Sequence, residues 1–169
     1  MTAVPWADTT RLATADQIAR FECDRVGVNE WLHDKALAAR PNVQTTLYVD
    51  ADGGVIPFAA TTMVIVNVYE GTSAQRAGSR EGSSVGFLLA QMGVRTGLTG
   101  AGIGKAVLRE VMAASVRAYR EAPFPLFVVD AADEALVGYY ERAGLRRLAG
   151  QFRLVTPMRQ IAKSFDTGK

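Results

Sequence analysis

The sequence predicts an α/β fold on a mixed sheet, and three stretches carry that reading. The first is an apolar run, Val85–Val94, followed by Thr99-Gly100-Ala101-Gly102-Ile103-Gly104-Lys105 and a pattern that puts Ile103, Val107, Val111, Ala114 and Ala118 on one helical face. The order is strand, glycine-rich turn, helix. The second is Leu126-Phe127-Val128-Val129-Asp130, whose unbroken apolar character fits a strand buried on both faces. The third is a hairpin in the first half of the chain, where Thr45–Val49 and Val55–Val68 flank the turn Asp50-Ala51-Asp52-Gly53-Gly54.

Taken in order, residues 1–8 read as a loose arm and Thr9–Leu12 as a short strand. Thr14 and Gln17 have capping-box spacing, which predicts a helical turn over Ala15–Phe21. A clearer helix is predicted over Val28–Ala39, with Val28, Trp31, Leu32, Ala36 and Ala39 on one face and Pro41-Asn42 as its stop. In the long strand after the hairpin turn, Pro57 points to an edge or a bulge, because it has no N–H to donate. Residues 69–84, rich in Gly, Ser and Arg, read as one long loop. After the glycine turn the helix is expected to reach about Tyr119. A further helix follows Asp133, with Gly144 at its C′ position. Leu145–Leu148 and Phe152–Val155 read as the last strands, and the polar tail 161–169 as loosely ordered.

At 169 residues, with 49% hydrophobic and 21% charged side chains, the chain reads as a single domain, 1–169. A net charge of +2 permits contact with nucleic acid without arguing for it. One cysteine and one histidine rule out an internal disulfide framework and leave too few soft ligands for a zinc site, so no metal is expected. No apolar run is long enough to span a membrane and no leader pattern opens the chain, so a cytoplasmic protein is expected.

The glycine turn is the stretch with chemistry in it. Glycines let the backbone bend sharply and approach a ligand, and a helix start offers N–H groups and the positive end of the dipole. Together they suit an anion, most simply phosphate, with Lys105 adding a charge. Two common phosphate motifs fail. A Walker A loop would need Gly at Thr99 and a hydroxyl at Ala106, and a dinucleotide fingerprint would need Gly at Lys105 or Val107.

What remains, x-x-x-Gly102-x-Gly104 at a strand-to-helix turn, resembles the pyrophosphate loop of the GCN5-related N-acetyltransferases. The segment Tyr139-Tyr140-Glu141-Arg142-Ala143-Gly144-Leu145 is similar to the family's Phe/Tyr-Tyr-x-x-x-Gly-Phe/Leu segment. The resemblance implies a splayed central sheet with helices on both faces, and acetyl transfer from acetyl-CoA to a primary amine without a covalent enzyme intermediate. It implies that Met92, Gly93 and Val94 meet the acetyl carbonyl and pantetheine through their backbone, and that Thr99, Gly100, Ala101, Gly102, Ile103, Gly104 and Lys105 cradle the pyrophosphate. Asp133, which opens the next helix, is counted with the cofactor-binding residues. Tyr140 takes the role of acid for the leaving thiolate. A phenol of pKa about 10 suits that role, since it is protonated at neutral pH. The alternative for Tyr140 is packing, since Leu136, Tyr140 and Ala143 share an apolar face.

Phe21-Glu22-Cys23 followed by Val28-Asn29-Glu30-Trp31-Leu32 is similar to the start of the acetyltransferase toxins of bacterial toxin–antitoxin pairs. That narrower resemblance implies an aminoacyl-tRNA acceptor acetylated on its α-amine, blocked translation, a small DNA-binding antitoxin as partner, and a homodimer. Lys35, Arg40, Arg76, Arg80 and Arg95 are the candidate cations for tRNA phosphates, with Arg142, Arg146 and Arg147 as further ones. The chain departs from the family at Thr99, where Gln or Arg is usual, and at Arg95, where an acidic residue is usual. His33 and Cys23 are given no catalytic role. An acetyltransferase for a small amine or a protein N-terminus, and a CoA-binding module without catalysis, are the rival functions.

Overall fold

The computed structural model describes residues 4–167. The elements are β1 (Asp8–Arg11), a 3-10 turn (Ala15–Ile18), α1 (Val26–Asp34), α2 (Ala36–Ala39), β2 (Gln44–Val49), β3 (Val55–Asn67), α3 (Ser73–Arg76), β4 (Ser83–Val94), α4 (Ile103–Glu121), β5 (Leu126–Asp130), α5 (Glu134–Arg142), β6 (Arg153–Pro157) and α6 (Met158–Asp166). The sheet is mixed and its strand order follows the chain, β1-β2-β3-β4-β5-β6. β1–β2, β2–β3 and β5–β6 pair antiparallel, and β4–β5 pair parallel. The chain groups into two compact units, one holding residues up to 62 with 90–111, the other 63–89 with residues from 112 onward.

In the first unit, α1 and α2 pack with the hairpin strands. Leu12, Ile18, Phe21, Val28, Leu32, Ala36, Leu47, Val55 and Phe58 form one buried cluster. Phe58 is its centre, edge-on to Phe21 at 5.5 Å and stacked on Trp31 at 6.4 Å between ring centroids. The β2–β3 register slips between Leu47↔Phe58 and Val49↔Val55, so Ile56 and Pro57 together face Tyr48. That is the bulge expected at Pro57.

In the second unit, the parallel register runs from Gly86↔Leu126 to Leu89↔Val129, and Leu126–Val129 are fully buried. Phe87 stacks on Phe124 and Phe127, each at 6.3 Å. From α5 and α6 the unit buries Val137, Tyr140, Met158 and Ile161.

Five expectations are corrected. The helix predicted over Val28–Ala39 starts at Val26 and breaks at Lys35, whose φ of −125° and ψ of −28° are not helical. The 69–84 stretch is not a bare loop. Thr72 caps α3, and the buried Gln75 (1% exposed) donates to the carbonyls of Val155 (3.1 Å), Arg146 and Arg147 (both 3.4 Å). Leu145–Leu148 does not form a strand, being held by the single bridge Arg147↔Leu154, and the last strand is Arg153–Pro157. The tail expected to be loose is α6, because Met158, Ile161 and Phe165 recur at helical spacing and the first two are buried. At the other end, Trp6 packs its ring on Tyr48 at 4.7 Å, and the Ala7 N–H donates to Val49 O, so the arm is tied down from Trp6 on. Residues 1–3 and 168–169 of the two expected loose ends lie outside the described residues.

Candidate active site

In the first unit, Met92 and Val94 are half-buried at the end of β4, and Gly93 is buried. A Cβ on Gly93 would come within 2.7 Å of Phe58 Cε1, so the strand sits hard against the core here. The chain then turns through Gly97, Gly100 and Gly102, with φ of +86°, +84° and +79°. At +79° an L side chain is strained by about 1–2 kcal/mol, which is why the last residue before α4 is glycine. Thr99–Gly102 are exposed, and a Cβ on Gly100 or Gly102 would touch nothing within 4 Å. α4 has no acidic residue in its first turn, and Lys105 stands there exposed. An open, left-handed glycine turn running into a helix start without a carboxylate fits a bound diphosphate.

In the second unit, Asp133 opens α5 by accepting the Leu136 N–H on Oδ1 at 2.9 Å. Its carboxylate therefore serves as a cap. Tyr140 is 3% exposed and shares the buried face of α5 with Val137, with its ring 5.3 Å from that of Tyr139. Burial pushes the Tyr139 phenol pKa up. The helix ends in a Schellman motif. Leu145 N–H donates to Tyr140 O (3.1 Å) and Gly144 N–H to Glu141 O (3.0 Å), with Gly144 at φ +94° as expected. The Schellman bonds hold the backbone of Tyr140 at the end of the helix.

No protein-family model matches the chain, and no curated protein sequence does. Solved structures match over nearly their whole length. A Tyr-to-Phe variant of KacT superposes with a TM-score of 0.83 at 16% identity, covering 94% of this chain and 98% of that one. AtaT complexed with acetyl-methionyl-tRNAfMet gives 0.80 at 16%, covering 94% and 99%. A Tyr-to-Phe variant of the AtaT toxin, bound to the C-terminus of the antitoxin AtaR and acetyl-CoA, gives 0.76 at 17%, covering 95% and 99%. The chain has the GCN5-related N-acetyltransferase fold. At these identities the likeness is one of fold.

Within this acetyltransferase fold, both departures from the usual motif have partners. Thr99 Oγ1 lies 3.4 Å from Asp24 Oδ2. Arg95 donates through its backbone N–H to Ile56 O (2.8 Å), through Nε to Val55 O (2.9 Å), and through a terminal nitrogen to Asp50 Oδ2 (3.2 Å). The Gly54 amide first, and then Arg95, hold the Asp50 carboxyl below the ordinary carboxylate range.

The other cations sort in the same way. In the first unit, Lys35 is exposed, whereas Arg40 is held by Leu37 O and Ala13 O. In the second, Arg76 and Arg80 are exposed, and Arg147 is fixed by a two-pronged pair with Glu134 and by Gln151 O. A shallow cavity of about 410 Å³ lies at the end of α5, lined by Thr72, Glu141, Gly144, Leu145, Arg146 and Arg147. His33 Nε2 is 2.8 Å from Phe21 O. Cys23 is buried, and burial pushes its thiol pKa up.

The sequence reading missed what holds the approach to the glycine turn. Asn29 brackets Cys23, accepting from its N–H and donating to its carbonyl, both at 2.9 Å. Asp50 was visible as a turn residue, but nothing in its neighbours marks a partner 45 residues away.

Proposed function

We propose that this chain is an acetyl-CoA-dependent N-acetyltransferase that blocks translation by acetylating the α-amine of aminoacyl-tRNA. The observation that carries the reading is the open glycine turn at the start of α4, with the fixed, buried Tyr140 on α5 further along the chain. The likeness to AtaT, solved with acetyl-CoA and with an acetyl-methionyl-tRNA, supports both donor and acceptor. Two of these relatives were solved as Tyr-to-Phe variants, which supports a phenol as the working group.

Acetyl-CoA would supply an activated acetyl group as a thioester. The residues Gly100–Lys105 would hold its diphosphate by backbone N–H groups and the helix dipole, and the backbone of Met92–Val94 would hold the acetyl carbonyl and stabilise the charge that develops on it. Tyr140 would give its proton to the departing thiolate, the attacking amine would shed one to solvent, and the Tyr140 phenolate would regain one from solvent. The exposed cations Lys35, Arg76, Arg80, Arg142 and Arg146 are the ones left to meet tRNA phosphates.

The likeness to AtaT bound to AtaR, and to a KacTA–DNA complex, supports a small DNA-binding antitoxin as partner. A homodimer is part of the same reading. Ile65 (73% exposed) and Val85 (43%) offer an apolar surface for it in the uncharged strand run Thr62–Asn67 and on β4.

Purified protein added to cell-free translation should inhibit only with acetyl-CoA present, and N-acetylated aminoacyl-tRNA should be recoverable. Tyr140→Phe should slow turnover about 100-fold while CoA affinity stays within twofold. Inhibition without acetyl-CoA would defeat the proposal. A transferase that ignores tRNA and modifies small amines or protein N-termini would move the reading to the rival acceptor.

A further inference from the structure

We infer that Arg95 is a positioning residue for the donor cradle and does not belong with the cations that meet the acceptor. The inference rests on the acetyl-CoA reading of the glycine turn. It concerns the segment 95–99, which leads from the end of β4 into that turn.

The segment is anchored on two sides. On one side Arg95 ties it to the β2–β3 hairpin through three donors, to Ile56 O, Val55 O and Asp50 Oδ2. Asp50 is itself fixed, because Oδ1 accepts from the N–H groups of Asp52 (3.0 Å) and Gly54 (2.9 Å). Residue 54 must be small there, since a Cβ would lie 2.9 Å from both the Arg95 guanidinium and Asp50 Oδ2. On the other side Thr96 N–H donates to Glu22 O (2.8 Å), Cys23 bridges Arg95, and Thr99 reaches Asp24. Asn29 fixes that second anchor by bracketing Cys23. The turn that Leu98 N–H closes on Arg95 O (3.0 Å) delivers the chain to Gly100.

The contrast with the cradle identifies the function. Thr99–Gly102 are exposed with open space around the glycines, so their position is set by the anchored segment before them and by α4 after them, where the Ala106 N–H donates to Gly102 O (3.1 Å). Arg95 and Asp50 have side chains 36% and 34% exposed, and pairs so exposed add little to global stability. Their effect is local: they fix where the backbone donors of the cradle stand, and misplaced donors lose affinity. The Arg95 guanidinium is engaged by Val55 O and Asp50 within the chain.

The test uses the full chain and calorimetric titration with CoA, together with KM for acetyl-CoA and for the acceptor. Arg95→Ala should raise the CoA Kd about tenfold, Asp50→Ala less, since it leaves the Nε bond to Val55 O in place, and the double variant should be no worse than Arg95→Ala, because the Asp50 bond is already lost with it. Acceptor KM should stay within about twofold of wild type. Arg95→Lys folds with its charge kept but loses the paired Nε and terminal donors, and should show an intermediate Kd, about threefold raised. The inference is overturned if Arg95→Ala raises acceptor KM and leaves CoA binding alone, if the two single effects add, or if Arg95→Lys binds CoA like wild type. Wild-type protein that binds no CoA would overturn the underlying function reading, and this inference with it, before any variant is made.

Discussion

The starts of α4 and α5 are the same kind of element finished in opposite ways. α5 begins on Asp133, which closes one backbone donor with its own carboxylate, and Glu134 adds a second negative charge in the first turn. α4 begins after two glycines in left-handed conformation, with no acidic residue and with Lys105 in its first turn. A helix start carries about half a positive charge, whichever residues surround it. At α5 the chain supplies the counter-charge itself. At α4 that charge is left for something else. On the reading proposed above, the binding site is a structural job left undone, and a glycine run has meaning only when compared with how the same chain caps its other helices.

The comparison can be broken by making α4 resemble α5. Gly102→Asp puts a carboxylate and a strained φ at the cradle, and should weaken CoA binding at least about 100-fold by titration. Affinity within threefold of wild type would show that the turn does not hold the diphosphate. The reverse change, Asp133→Ala, should cost about 1 kcal/mol of stability in urea unfolding. Should CoA affinity fall by more than stability does, Asp133 is a cofactor contact after all, and the two helix starts differ less than their side chains indicate. The smallest expected effect is that of Lys105→Gln, a loss of CoA affinity of about two- to fivefold that shrinks as salt is raised. A salt-independent result would leave backbone and dipole as the only attractions at this helix start.

How much could be read from the chain follows from how local each signal is. The glycine turn, the buried run Leu126–Val129, the bulge at Pro57 and the cap pair Asp133 and Gly144 are written within a few residues, and the structure has them where they were expected. Gln75 looked like one more polar residue in a polar loop. Its burial becomes intelligible only through carbonyls 71, 72 and 80 residues away, which no window along the sequence contains. α6 is a different case, because the spacing of Met158, Ile161 and Phe165 was present and the polar residues between them masked it. The break at Lys35 has no flanking Gly or Pro to announce it. At the candidate site, the glycine turn was legible because it is written in consecutive residues. The clamp on Arg95 was not, because Asp50 and Arg95 are joined by folding alone.

The chain passes between its two units three times, at 62/63, 89/90 and 111/112, within β3, β4 and α4. This has a consequence for the order of synthesis. A ribosome releases the chain from the N-terminus at roughly 5–20 residues per second. The unit that carries the cradle cannot be completed before residue 111 emerges, and by then residues 63–89 of the other unit are already waiting for partners that have not yet been made. The unit that carries Tyr140 waits longer still, for β6 and α6. On the function proposed above, this interleaving would act as a safeguard: no nascent chain shorter than 140 residues contains both Gly100–Lys105 and Tyr140, and both units need segments made after residue 105 before they are complete.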